Sequence, residues 1–105
     1  AKIGGTPAQK QAIKDFEVAT KLEKDDFVSY YYLGKSLLES NNPKKALPAF
    51  QKALKINPDD DKARFFLGIS YLKLKNTREG CKNINMARKI NPQLATEESD
   101  ASCKK

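Results

Sequence analysis

Between Tyr30 and Leu37, the apolar or small residues Tyr30, Leu33, Gly34 and Leu37 recur at three- and four-residue steps. That is the i, i+3, i+4, i+7 spacing of a single helical stripe. The next segment opens on Asn42-Pro43, a capping side chain followed by proline at the first helical position. It closes on Asn57-Pro58, where the residue before proline is pushed out of the helical region. The two segments read as an antiparallel helix pair, A then B. Asn91-Pro92 closes a later helix in the same way, and Lys55 and Lys89 sit where cations favour a helix C-terminus. Upstream, Thr6-Pro7-Ala8-Gln9 combines an N-cap, a first-position proline and a glutamine placed to complete a capping box. Pro48 lies inside the predicted B helix, removing one backbone bond, and predicts a local bend or widening, not a break.

The pattern recurs. Lys55-Ile56-Asn57-Pro58 is repeated as Lys89-Ile90-Asn91-Pro92, 34 residues on. At the same offset Tyr31-Tyr32-Leu33-Gly34 falls on Phe65-Phe66-Leu67-Gly68, Asp25-Asp26 on Asp59-Asp60, and Phe16 on Phe50 and then Ile84. Ala19, Ala53 and Ala87 form a triplet, as do Ala12, Ala46 and Gly80. A fixed period in this range is the signature of stacked supersecondary units.

These residues resemble the tetratricopeptide repeat. The unit 27–60 supplies Tyr30, Leu33, Gly34, Leu37, Ala46, Phe50, Ala53 and Pro58. The unit 61–94 supplies Leu67, Gly68, Tyr71, Ala87 and Pro92, and departs at Arg64, Gly80 and Ile84. The resemblance extends over about residues 8–92. It implies an all-α fold, a right-handed superhelix of antiparallel helix pairs (an α-solenoid) with about two and a half repeats and five helices. Residues 1–26 then hold a linker and a lone B-type helix, and residues 95–105 a polar C-terminal tail.

Glycine inside a helix costs about 1 kcal/mol relative to alanine. Its retention at Gly34 and Gly68 therefore predicts close approach of the B helix, with Ala46 and Ala53 offering small surfaces from the other side. Leu33, Leu67, Phe50 and Ile84 are the predicted core. In the second B helix Arg88 stands where Leu54 stood, and Asn83 where Ala49 stood. These polar replacements predict an array that ends there, with Gln93 to Lys105 frayed or disordered.

Composition narrows the chemistry. The chain has no histidine and two cysteines, Cys81 and Cys103, which removes the usual zinc spacings and any histidine-based triad. Cys103 lies in the polar tail, so a specific bridge to Cys81 is not expected, and the compartment stays open. No catalytic residue, cofactor or metal ligand is predicted. Gly4-Gly5 and the single helix glycines form no phosphate-cradling loop. No apolar run is long enough to span a membrane, and no opening segment reads as a signal peptide. The net charge of +7 is spread along the chain among interleaved carboxylates, the distribution of solvated helix faces.

The function expected is a non-catalytic scaffold that binds a peptide or partner helix in a concave groove. In the family's geometry the groove-facing positions map to Val28, Tyr31, Lys35, Leu38 and Glu39 in the first A helix, and to Lys62, Phe65, Ile69, Leu72 and Lys73 in the second. They form an apolar stripe bordered by lysines. Packing between units is the competing role for Tyr31 and Phe65. Some family members clamp chaperone carboxylates. Here Lys62 fits one clamp position, while Lys35, Ile69 and Phe66 replace the rest, so that ligand is not expected. The alternatives are self-assembly through the unpartnered first helix, as a homo-oligomer or within a longer multi-repeat protein, and nucleic-acid binding, which is less favoured.

Overall fold

The computed structural model describes residues 6–94 and 97–103. The linker at 1–5, with Gly4-Gly5, and tail residues 95–96 and 104–105 lie outside the described residues. Five helices form the array: α1 (Pro7–Leu22), α2 (Phe27–Glu39), α3 (Pro43–Ile56), α4 (Asp61–Lys73) and α5 (Thr77–Ile90). A sixth, α6 (Glu97–Ser102), follows them, and there is no strand among the described residues. Each of α1 to α5 packs mainly on its neighbours in sequence, and α2 also touches α4, so the A-type helices line up along one side.

The helix starts follow the capping chemistry. Gln9 N–H donates to Thr6 Oγ1 at 3.1 Å, and Thr6 N–H donates back to Gln9 Oε1 at 2.9 Å, the reciprocal box that the tetrapeptide predicts. Ala63 N–H donates to Asp60 Oδ2 at 2.8 Å, and Asn42 and Asn76 cap α3 and α5. The repeated tetrapeptide ends two helices identically: Asn57 N–H donates to Ala53 O and Asn91 N–H to Ala87 O, each at 2.9 Å. Both A helices close through a left-handed residue, Asn41 at φ 62° and Lys75 at φ 68°, again 34 positions apart. The amide after each reaches back a full turn, Asn42 N–H to Leu37 O and Asn76 N–H to Tyr71 O at 2.9 Å. Helix α3 runs unbroken through Pro48.

Two apolar clusters share the interior. The first surrounds Phe50, which is fully buried, and joins Leu33, Leu37, Ala46, Ala53, Ala63 and Leu67 across α2, α3 and α4. The second gathers Phe65, Ile69 and Leu72 of α4 with Ile84 and Ala87 of α5. The predicted core residues Leu33, Leu67, Phe50 and Ile84 are all buried. The glycines sit where the pairs touch. A Cβ on Gly34 would lie 2.8 Å from the Phe50 ring, and one on Gly68 would lie 2.7 Å from Gly80 O and 2.6 Å from Ile84 Cγ1. Gly80, a departure from the repeat's alanine, is thus the other half of a glycine-on-glycine crossing between α4 and α5.

The remaining departures compensate one another. Arg64, in place of the opening aromatic, donates to Asn83 Oδ1 at 3.3 Å and to Pro58 O at 3.1 Å. Asn83 is buried, and its amide donates to Glu79 O at 2.8 Å. Asn83 is therefore not a water-facing terminus. A buried amide is tolerable because both of its ends are satisfied.

The C-terminal segment departs from expectation. Residues 97–102 form α6 instead of a frayed tail, packed on both α4 and α5. Arg88 does not mark an empty edge: its Nε donates to Leu94 O at 2.8 Å and its Nη2 to Ser99 Oγ at 3.2 Å. Cys81 and Cys103 are joined by a disulfide with Cα atoms 5.3 Å apart, contrary to the sequence expectation. The physical reason is that α6 carries Cys103 back over α5.

Candidate functional site on α2 and α4

The ten positions expected to face a groove do not share one environment. On α2, Val28 is 54% exposed at the start of the helix, Lys35 and Leu38 are half-buried, and Glu39 is exposed. Tyr31 is buried. On α4, Lys62 and Lys73 are exposed, whereas Phe65, Ile69 and Leu72 are buried, Phe65 at 2% exposure. The apolar members Tyr31, Phe65, Ile69 and Leu72 are therefore interior packing groups, while Val28, Glu39, Lys62 and Lys73 are exposed and Lys35 is half-buried.

The packing is aromatic where α2 meets α4. Tyr31 lies against Phe27, Tyr32, Phe50 and Phe66, with ring centroids 5.1 to 6.3 Å apart. Phe66 stacks on Phe50 at 6.2 Å and meets Phe65 edge-on at 5.6 Å. Such contacts add to simple burial because ring edges and faces carry opposite partial charge. Lys35 Nζ lies 5.3 Å from the centroid of the Phe66 ring, so a cation on α2 is held over an aromatic of α4. Leu38 packs on the second cluster and links the two helices further along.

Burial pushes the Tyr31 phenol up to about 12, and the charges of Asp60, Tyr32 and Asp61 act in the same direction. Tyr31 is accordingly a neutral packing group at ordinary pH.

The cover over α4 is what sequence reasoning missed. Leu94 and Cys103 pack against the cluster of Phe65, Ile69, Leu72, Ile84 and Ala87. The available signal was the period itself. Ser99 lies 34 beyond Phe65, and Cys103 lies 34 beyond Ile69. A second feature not anticipated is the apolar end near the turn from α1 to α2. There Leu22 is 77% and Val18 56% exposed, and Tyr32, 45% exposed, stacks on Phe16 at 6.0 Å. Among the described residues no group of three or more His, Cys, Asp or Glu side chains could hold a metal ion. No described helix is long and apolar enough to cross a membrane.

Residues 27–60 match the tetratricopeptide repeat family. Solved structures share the fold, among them two of MamA. One is a double mutant of MamA RS-1, with a TM-score of 0.79 and 25% identity over 83% of this chain and 49% of that one. The other is MamA 41-end from Desulfovibrio magneticus RS-1, with a TM-score of 0.78, the same identity and the same coverage. The chain spans about half the length of these structures. No curated protein matches it.

Proposed function

Taking this chain as one built on the tetratricopeptide repeat, we propose that it is a non-catalytic scaffold that binds a protein segment along the face shared by α2 and α4. The segment is an extended peptide or a partner helix with acidic side chains and an apolar anchor. The observation that supports this reading is Lys35 of α2 drawn across to Phe66 of α4, with Lys62 and Lys73 exposed on the same α4 helix. In this reading Lys35 and Lys62 supply positive charge, and Val28, 54% exposed, supplies apolar surface. Charged rims steer and select partners more than they add raw affinity, so the partner is recognised by its acidic pattern.

The test is binding of a pool of acidic, apolar-anchored peptides to the protein and to a Lys35→Glu, Lys62→Glu double variant. Reversal should weaken binding by about tenfold or more, while the same change at Lys55 and Lys89 on the B helices should leave it unaltered. Equal loss at both pairs of sites would mean that only net charge matters, and the reading would fail.

Association of two copies is a second reading, supported by the exposed Val18, Leu22 and Val28 near the α1–α2 turn. Sedimentation over a wide concentration range decides it. A strict monomer at the highest concentration rules it out.

A further inference from the structure

Helix α6 occupies the register of a third A helix. The units at 27 and 61 are followed, 34 residues on, by position 95, and α6 begins two residues later. It packs on α4 and α5, and Ser99 within it is fully buried. Yet α6 has only six residues. Helices shorter than about a dozen residues do not persist in water without help from their surroundings. The apolar surface that its segment lays on the cluster below comes from Leu94 and Cys103. Polar anchoring comes from Arg88, through Leu94 O and Ser99 Oγ. A further tie is covalent, the Cys81–Cys103 bridge, which closes a span of 22 residues.

The geometry points to a redox latch: the Cys81–Cys103 disulfide holds α6 over the apolar cluster of α4 and α5, and its reduction by a dithiol releases α6 and uncovers that cluster. A thiolate of the dithiol attacks one bridge sulfur. A mixed disulfide forms, and the other cysteine leaves as a thiolate that takes up a proton. The second thiol of the reductant then displaces the mixed disulfide. Two electrons pass to the bridge, two cysteine thiols result, and the reductant departs as a disulfide. Reduction removes the loop constraint that favours the docked state, leaving a short helix held by non-covalent contacts alone. Opening withdraws Leu94 and Cys103 from the cluster that contains Phe65 and Ile69, so oxidising surroundings cap the array and reducing ones uncap it. The latch stands independently of what, if anything, binds the face of α2 and α4.

The experiment compares hydrogen exchange of the oxidised chain, the dithiol-reduced chain and a Cys81→Ser, Cys103→Ser double variant, with thiols counted by alkylation and mass. In the oxidised chain both cysteines should resist alkylation. On reduction, the amide of Cys103, which donates to Ser99 O at 2.9 Å, should lose protection by about tenfold or more. Amides in α2 and α3 should hold within about twofold of their oxidised values. The double variant should reproduce the reduced pattern without any reductant. Three outcomes would overturn the proposal: free thiols in the air-oxidised chain, undiminished protection at Cys103 after reduction, or collapse of protection throughout. The last would make the bridge a staple of the entire fold.

Discussion

Replacing Gly68 by alanine tests the crossing of α4 and α5 on which the second repeat rests. In an open helix the change would gain about 1 kcal/mol, because glycine forfeits backbone entropy that alanine does not. Here the new Cβ would stand 2.7 Å from Gly80 O, 0.7 Å short of the 3.4 Å at which ordinary contact begins. Ile84 Cγ1 at 2.6 Å and Ile84 N at 3.1 Å close the same space. Two of these three neighbours are backbone atoms, so no rotamer change relieves the clash and the helices must part. Separation loosens the seam around Ile84, which is fully buried. Overpacking of this kind costs about 1–3 kcal/mol, and with backbone atoms involved we expect a net loss of that order. In a domain of this size each kcal/mol lowers Tm by about 4–8 °C. Thermal unfolding followed by circular dichroism measures it. Gly34→Ala is the internal comparison, since the three nearest neighbours of its new Cβ would be side-chain atoms of Phe50, at 2.8–2.9 Å, with no backbone atom among them, and it should cost less. A Gly68→Ala variant that melts higher than the parent would refute the reasoning.

Other expectations follow from the same contacts. Phe50→Ala empties a fully buried site against Gly34 and Phe66 and should cost about 3–5 kcal/mol in a urea titration. Lys75→Gly relieves a left-handed side-chain residue at the end of α4 and should raise stability by about 1 kcal/mol; an unchanged or lower Tm would count against the strain. Tyr31 should ionise late, since its folded value is raised to about 12 from 10.0. Its contribution is fully present below the unfolded value and is lost as pH rises from there through the folded one. An alkaline absorbance titration should therefore show a late tyrosinate phase that Tyr31→Phe removes.

Much of the architecture is legible along the chain because a repeat states each rule twice. Gly34 and Gly68 recur at the same place in their stripes, and each turns out to face the residue of the following B helix that fills the core. The capping box at Thr6 and the stops at Asn57 and Asn91 act locally, so composition alone announces them. The second unit was harder to read where its changes are pairwise. Arg64 and Asn83 each look like a loss of apolar packing, and only their approach in space reveals that they satisfy one another. The tail was misread for a related reason. Its polarity suggested fraying, whereas Arg88 and Cys81 on α5 supply partners that no local property of residues 97–103 announces. At the candidate site, spacing assigned ten positions of the two A helices to one face, and they differ widely in burial. It could not separate the buried members from the exposed ones, because burial of Phe65, Ile69 and Leu72 depends on contacts with α5, Leu94 and Cys103 that arise only in the fold.

The central claim is that the chain grips a protein segment on the face of α2 and α4. It is tested most directly by titrating an acidic, apolar-anchored peptide into isotope-labelled protein and mapping the amide shifts. The account predicts that shifts concentrate at Val28, Lys35, Leu38, Glu39 and Lys62. Shifts scattered over the lysines of α1, α3 and α5, with that face unmoved at saturation, would contradict it.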